Sequence, residues 1–225
     1  MAEPRSVAIE VVSDVICPWC FIGKRRLEKA LALLEPELAA RVTWLPFQLN
    51  PGMPREGVER ADYRRAKFGS LERSQALDAR VAAEGRGEGI DFAFDRMQRT
   101  PNTFAAHQLI DLAQEEGVGG EVVEALFRAY FEQGRDTGDA AVLKETAAAC
   151  GLDAAMLEAR WADESEARRV AELEEEMKNL GISGVPTYII GRRYAVSGAQ
   201  PPQMIAAAIR EAAAQEVEEV RSGEV

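Results

Sequence analysis

The sequence predicts an α/β protein in which one sheet, built from strands near both ends of the chain, is interrupted by a long all-helical insertion. Three observations carry this. A β-branched run, Val7, Ile9, Val11 and Val12, leads through Ser13-Asp14-Val15-Ile16 into Cys17-Pro18-Trp19-Cys20, after which Phe21, Leu27, Ala30, Leu31 and Leu34 recur at helical steps. Strand signals return in Pro186–Ile190 and Tyr194–Val196. Between Pro54 and Glu172 there is almost no strand signal. At 225 residues, with 47% hydrophobic and 29% charged residues, the chain can bury a large core and is not a disordered composition.

In order, the first helix is expected to run through Leu27–Leu38, with Glu35-Pro36-Glu37 closing it or starting a short turn. Arg41–Phe47 reads as a second strand, and a strand–helix–strand unit of this length predicts a parallel crossover. Tyr63–Glu84 is a charged helix or helix pair, broken by the glycines of Gly85–Gly89. Thr100 is the expected N-cap, with Pro101 in the first turn, of a helix through Glu116. Glu121–Gln133 shows a broad apolar face, Asp139 and Asp153 can each cap a helix, and Ser165–Leu180 is a charged helix stopped by Gly181. Gly191-Arg192 is a tight hairpin, and Pro201-Pro202 opens a final helix to about Val217.

The strand–CxxC–helix order carries chemistry. A helix starting at Cys17 leaves several backbone N–H groups without intrahelical partners, and with the helix dipole they favour thiolate over thiol. Pro18 suits the first helical position. Cys20 lies one turn on, within reach of Cys17, so Cys17 is the expected nucleophile and Cys20 the resolving thiol. Pro18 and Trp19 tune the pair, and Trp19 is placed to pack against a bound polypeptide. The competing zinc site lacks ligands, because the chain holds only Cys17, Cys20, Cys150 and His107. A structural disulfide over so short a loop would stabilise little. No metal is expected.

A net charge of −11 works against nucleic-acid and anionic-membrane partners. The Lys24-Arg25-Arg26 run reads as a solvated helix face. The Met1–Val12 stretch shows no signal-peptide pattern, no stretch is long and apolar enough to span a membrane, and three cysteines suit a reducing compartment, so a cytoplasmic address is expected.

Ser13–Leu31 resembles the DsbA-like thioredoxin superfamily, most closely its FrnE-like disulfide oxidoreductases, and is similar also to 2-hydroxychromene-2-carboxylate isomerases and kappa-class glutathione transferases. Pro46–Pro51, Thr100–His107 and Gly181–Thr187 support the match in the order the family requires. The resemblance implies a thioredoxin-like fold, discontinuous over residues 1–53 and 173–225, with a helical insertion at 54–172. It implies a thiol–disulfide oxidoreductase or isomerase acting on polypeptide disulfides, with a redox recycling partner. It also implies a cis Val185–Pro186 bond facing the CxxC, where Val185 and Pro186 hold the polypeptide as an added strand. No cofactor is expected beyond the Cys17–Cys20 couple, with glutathione as a conceivable co-substrate. Two alternatives stay open: a glutathione-dependent isomerase or transferase on a small molecule, and a non-enzymatic chaperone using the same cleft. The serine-active relatives lack the second cysteine, which weighs against the first alternative. Kappa-like relatives dimerise, so a homodimer is an expectation. Cys150 reads as a small buried hydrophobe, His107 as a satisfied structural histidine, and Asn102 as a helix-start residue resembling a ligand-contacting position.

Overall fold

The computed structural model describes residues 5–222. In chain order the elements are β1 (Arg5–Ser13), α1 (Pro18–Ala32), β2 (Leu38–Pro46), β3 (Val58–Glu59), α2 (Arg60–Phe68), α3 (Leu71–Gly87), β4 (Arg99–Thr100) and α4 (Phe104–Glu115). They continue with α5 (Gly119–Phe131), α6 (Ala140–Ala149), α7 (Ala154–Ala162), α8 (Glu164–Asn179), β5 (Thr187–Ile190), β6 (Tyr194–Ser197) and α9 (Pro202–Ser222).

The main sheet has the order β2-β1-β5-β6. β1 and β2 are parallel, from Arg5 opposite Leu38 to Ser13 opposite Pro46. β5 runs antiparallel to β1, with Val12 opposite Thr187, and β6 returns against β5. Alternation along β1 separates two cores. Val7, Ile9 and Val11 share one with the buried side chains of α1 and α9, whereas Val12 packs with Phe47 and with Met177 of α8. The larger core runs without a break into the helical stretch. Phe21, the residue after Cys20, stacks on Phe127 of α5 at 5.1 Å between ring centroids and meets Phe92 edge-on at 6.1 Å.

Several expectations are corrected. The first helix stops at Ala32, and Leu38 already opens β2, because its first residues pair with β1. The stretch expected to lack strands holds a two-stranded ribbon, β3 with β4. Thr100 is therefore not a helix cap: it pairs with Val58, and the N-cap of α4 is Thr103, with the helix beginning at Phe104. Gly85 and Gly87 lie inside α3, whose left-handed exit is Gly89, at φ +78°. Asp139 and Asp153 cap α6 and α7 as read, each side chain accepting backbone N–H bonds. The boundary drawn between 172 and 173 falls within α8.

Candidate active site

β1 delivers the chain to a turn that sets the Cys17 position. The Cys17 N–H donates to the Asp14 carbonyl at 3.0 Å. The fully buried Asp14 carboxylate accepts the Leu49 N–H at 2.7 Å and the Ile16 N–H at 3.5 Å, tying the turn to the segment leaving β2. Cys17 is the N-cap of α1, with extended backbone at φ −89° and ψ 111°, and Pro18 follows at the helix start. The Cys20 N–H donates to the Cys17 carbonyl at 3.0 Å, the first turn of the helix. Both cysteines are free thiols.

Their surroundings differ. The Cys17 thiol donates to the Val185 carbonyl at 3.6 Å, across the cis Val185–Pro186 bond. It lines a cavity of about 750 Å³ that also takes in Pro18, Trp19, Gly184 and Val185. Trp19 is 40% exposed. The Cys20 sulfur faces inward and is 1% exposed. Burial, and then the Cys17 sulfur beside it, push its thiol well above the ordinary range, against a partial offset from the Asp14 N–H and the Ser13 hydroxyl. Pro18, Trp19 and Val185 thus line the cavity at the Cys17 end of the pair, and Pro186 follows Val185 through the cis bond. Gly23 makes the arrangement possible. A Cβ there would collide with the Tyr188 hydroxyl and lie 2.9 Å from Pro186 Cγ, so α1 approaches the proline loop only with glycine at this position.

Opposite the cysteines, α2 and α3 roof the cavity, and these residues escaped the reading of the sequence. Arg60 and Arg64, four residues apart on one helix face, share the Asp78 carboxylate, Arg60 at 2.8 Å. Arg60 lies 5.5 Å from the centre of the Phe94 ring. Lys67 and Tyr63 line the same wall. With Lys67 and Arg80, these guanidiniums outnumber the Asp78 and Glu84 carboxylates in the lining, so the chamber carries surplus positive charge. The spacing was available in the sequence; the partner and the cavity were not.

Other singled-out residues lie apart. The Lys24-Arg25-Arg26 run is not a solvated face. Arg26 pairs with Glu88 at 2.6 Å and Glu84 at 2.8 Å, Lys24 with Glu124 at 3.0 Å, and Lys24 is buried. Asn102 caps locally: its Oδ1 accepts the Phe104 N–H at 2.9 Å and its Nδ2 donates to the Met53 carbonyl at 2.8 Å. Cys150 is half-buried at the end of α6, packed against the main core, and burial raises its thiol. His107 is buried but not satisfied, since Nε2 has no hydrogen-bond partner and sits 3.6 Å from Asp14 Oδ1. The carboxylates of Asp111, Glu115 and Glu166 converge, but each pairs with Arg160 or Arg169, so the cluster reads as an ion-pair network.

Comparison with known proteins bears on the family and the fold. The chain is 28% identical over 190 residues to the uncharacterised protein YwbO of Bacillus subtilis, covering 83% of this chain and 88% of that one. The crystal structure of a probable DsbA oxidoreductase from Streptomyces coelicolor superposes with a TM-score of 0.84 at 34% identity, covering 92% of this chain and 89% of that one. A cytosolic disulfide reductase, DsbM of Pseudomonas aeruginosa, solved with GSH, shares the fold with a TM-score of 0.60 at 21% identity, covering 95% and 99%. The family described as the DSBA-like thioredoxin domain matches residues 8–210, and the chain belongs to that family of thioredoxin-fold oxidoreductases.

Proposed function

We propose that this chain is a thiol–disulfide oxidoreductase or isomerase acting on polypeptide disulfides. One observation carries the reading: Cys17, at a helix start, opens onto a cavity while Cys20 sits sealed one turn behind it. Cys17 as thiolate attacks a substrate sulfur and forms a mixed disulfide. Cys20 then attacks the Cys17 sulfur, closing the Cys17–Cys20 bond and releasing the second substrate thiolate. The exposed Trp19 and the Gly184–Val185 backbone offer the edge on which an extended polypeptide would lie. The two thiols are the only redox group the reaction needs, and a reducing, cytoplasmic setting with a separate recycling partner fits them.

The cavity favours a second reading, a small acidic disulfide or thiol. Its volume lies in the range of small-ligand sites, and Arg60 and Arg64 suit a carboxylate. Glutathione, bound in the DsbM structure, has that chemistry.

The test is a redox titration in glutathione buffers, followed by mass and by turnover of a scrambled disulfide protein. A reversible Cys17–Cys20 couple, lost in Cys17→Ser, together with polypeptide turnover supports the first reading. A couple that turns over only glutathione disulfide selects the second. Absence of any Cys17–Cys20 disulfide at every poise overturns both.

A further inference from the structure

Whichever way electrons flow, Cys20 must surrender or regain a proton, and at 1% exposure bulk water cannot take it. The buried Ser13 hydroxyl is among the groups that act on the Cys20 thiol, lowering it against burial. Ser13 also lines a small cavity of about 10 Å³, space for a single water molecule, whose wall includes His107 and Asp111. His107 is 4% exposed, its Nε2 is unpartnered, and Asp14 Oδ1 lies 3.6 Å from it. A buried histidine with an orphaned nitrogen beside a buried carboxylate is a costly arrangement that packing alone does not explain.

We propose that Ser13 and His107, backed by Asp14, are positioning residues that carry the Cys20 proton during the resolving step. This rests on the thiol–disulfide reading above. With Cys17 already in a mixed disulfide, the Cys20 S–H gives its proton to the Ser13 oxygen as Ser13 passes its own, through one water, to His107. The Cys20 electron pair attacks the Cys17 sulfur, the Cys17–Cys20 bond forms, and the bond from Cys17 to the substrate sulfur breaks. The leaving thiolate takes that electron pair and draws a proton from solvent, so the two thiols are oxidised as the substrate disulfide is reduced. His107 carries the proton as imidazolium against the Asp14 carboxylate. Other charged groups of the packed elements are already paired: Asp111 of α4 with Arg160 and Arg169, and Glu174 of α8 with Lys178 at 2.9 Å. The Tyr130 hydroxyl of α5 is held neutral by burial.

The experiment is single-turnover reaction of the fully reduced chain with 5,5′-dithiobis(2-nitrobenzoate). The aromatic thiolate is released first by Cys17 attack and again by Cys20 attack. In His107→Gln the first release is expected to keep its rate while the second slows about 100-fold, the low end of what a placed proton acceptor contributes. The pH dependence of the second release should change in this variant while that of the first does not. Ser13→Ala, a smaller change, should slow the second release alone. A second release with unchanged rate and pH profile in both variants overturns the proposal, as does equal slowing of both releases, the mark of a purely structural role. Absence of the first release in the unaltered chain would instead overturn the thiol–disulfide reading itself.

Discussion

The helical insertion is fastened to α1 at two places by different forces. At α5 the junction is mainly apolar: Phe21 stacks on Phe127 and Phe131, all fully or almost fully buried, with Glu124 pairing with Lys24 and Arg25 beside them. At α3 it is ionic: Glu88 bridges Arg26 and Lys29, each at 2.6 Å, and α2 buries none of its residues. The wall of the Cys17 cavity that α5 supplies is therefore held mainly by area removed from water, which salt does not screen. The roof made by α2 and α3 is held largely by charge, which salt does screen. Cys17 sits on a rigid base under a cover of lower stability, the end of the scale from which moving elements are drawn.

Breaking the apolar junction should have the largest effect. Phe127→Ala should cost about 3–5 kcal/mol, read as a lower denaturation midpoint in urea, since it leaves a cavity against Phe21. Gly23→Ala comes next. Its methyl must displace Tyr188 and Pro186, an overpacking worth about 1–3 kcal/mol. Because those residues carry the loop facing Cys17, the rate of Cys17 attack on a disulfide reagent should fall with it, and an unchanged rate would mean that the loop yields elsewhere.

Glu88→Gln should cost only about 1 kcal/mol, because glutamine keeps a hydrogen-bonding oxygen for Arg26 and the Lys29 partner is half-exposed. Hydrogen exchange should nonetheless quicken across α3 and not across α5, and molar salt should produce the same pattern in the unaltered chain. Uniform exchange in the two helices would remove the distinction between roof and wall.

The mildest perturbation is pH alone. Burial holds the Cys20 thiol protonated well above the ordinary thiol range. Below about pH 8.5 the thiol is neutral in both folded and unfolded chains and contributes no slope. Above it the unfolded chain ionises first, so the reduced protein loses stability as pH climbs towards the folded Cys20 value. Tyr130 and Tyr188, both raised by burial, extend the loss at higher pH. Urea melts of Cys20→Ala should show a shallower alkaline decline than the reduced unaltered chain.

What could be read from the chain was what neighbours three or four residues apart decide. The β1 run, the CxxC at the start of α1, the Asp139 and Asp153 caps and the return of strands at Thr187 all depend on local periodicity and capping, and each is present. Thr100 shows the limit of that reasoning. Beside Pro101 it had every local mark of an N-cap, yet a cross-strand pairing with Val58, more than forty residues upstream, took its backbone instead. The Lys24-Arg25-Arg26 run looked solvated because acids far along the chain are invisible in a helical repeat.

By itself, then, the sequence determined the α/β class, the two cysteines and their setting at a helix start, since these are consequences of short-range backbone chemistry. Only the tertiary structure decided that the Cys17 sulfur meets the Val185 carbonyl, 168 residues away, that Arg60 and Arg64 face it from a roof, and that His107 stands unpartnered beside Asp14. Those contacts join segments that burial brings together, and no spacing along the chain encodes which polar atoms are left to face one another once the core has closed.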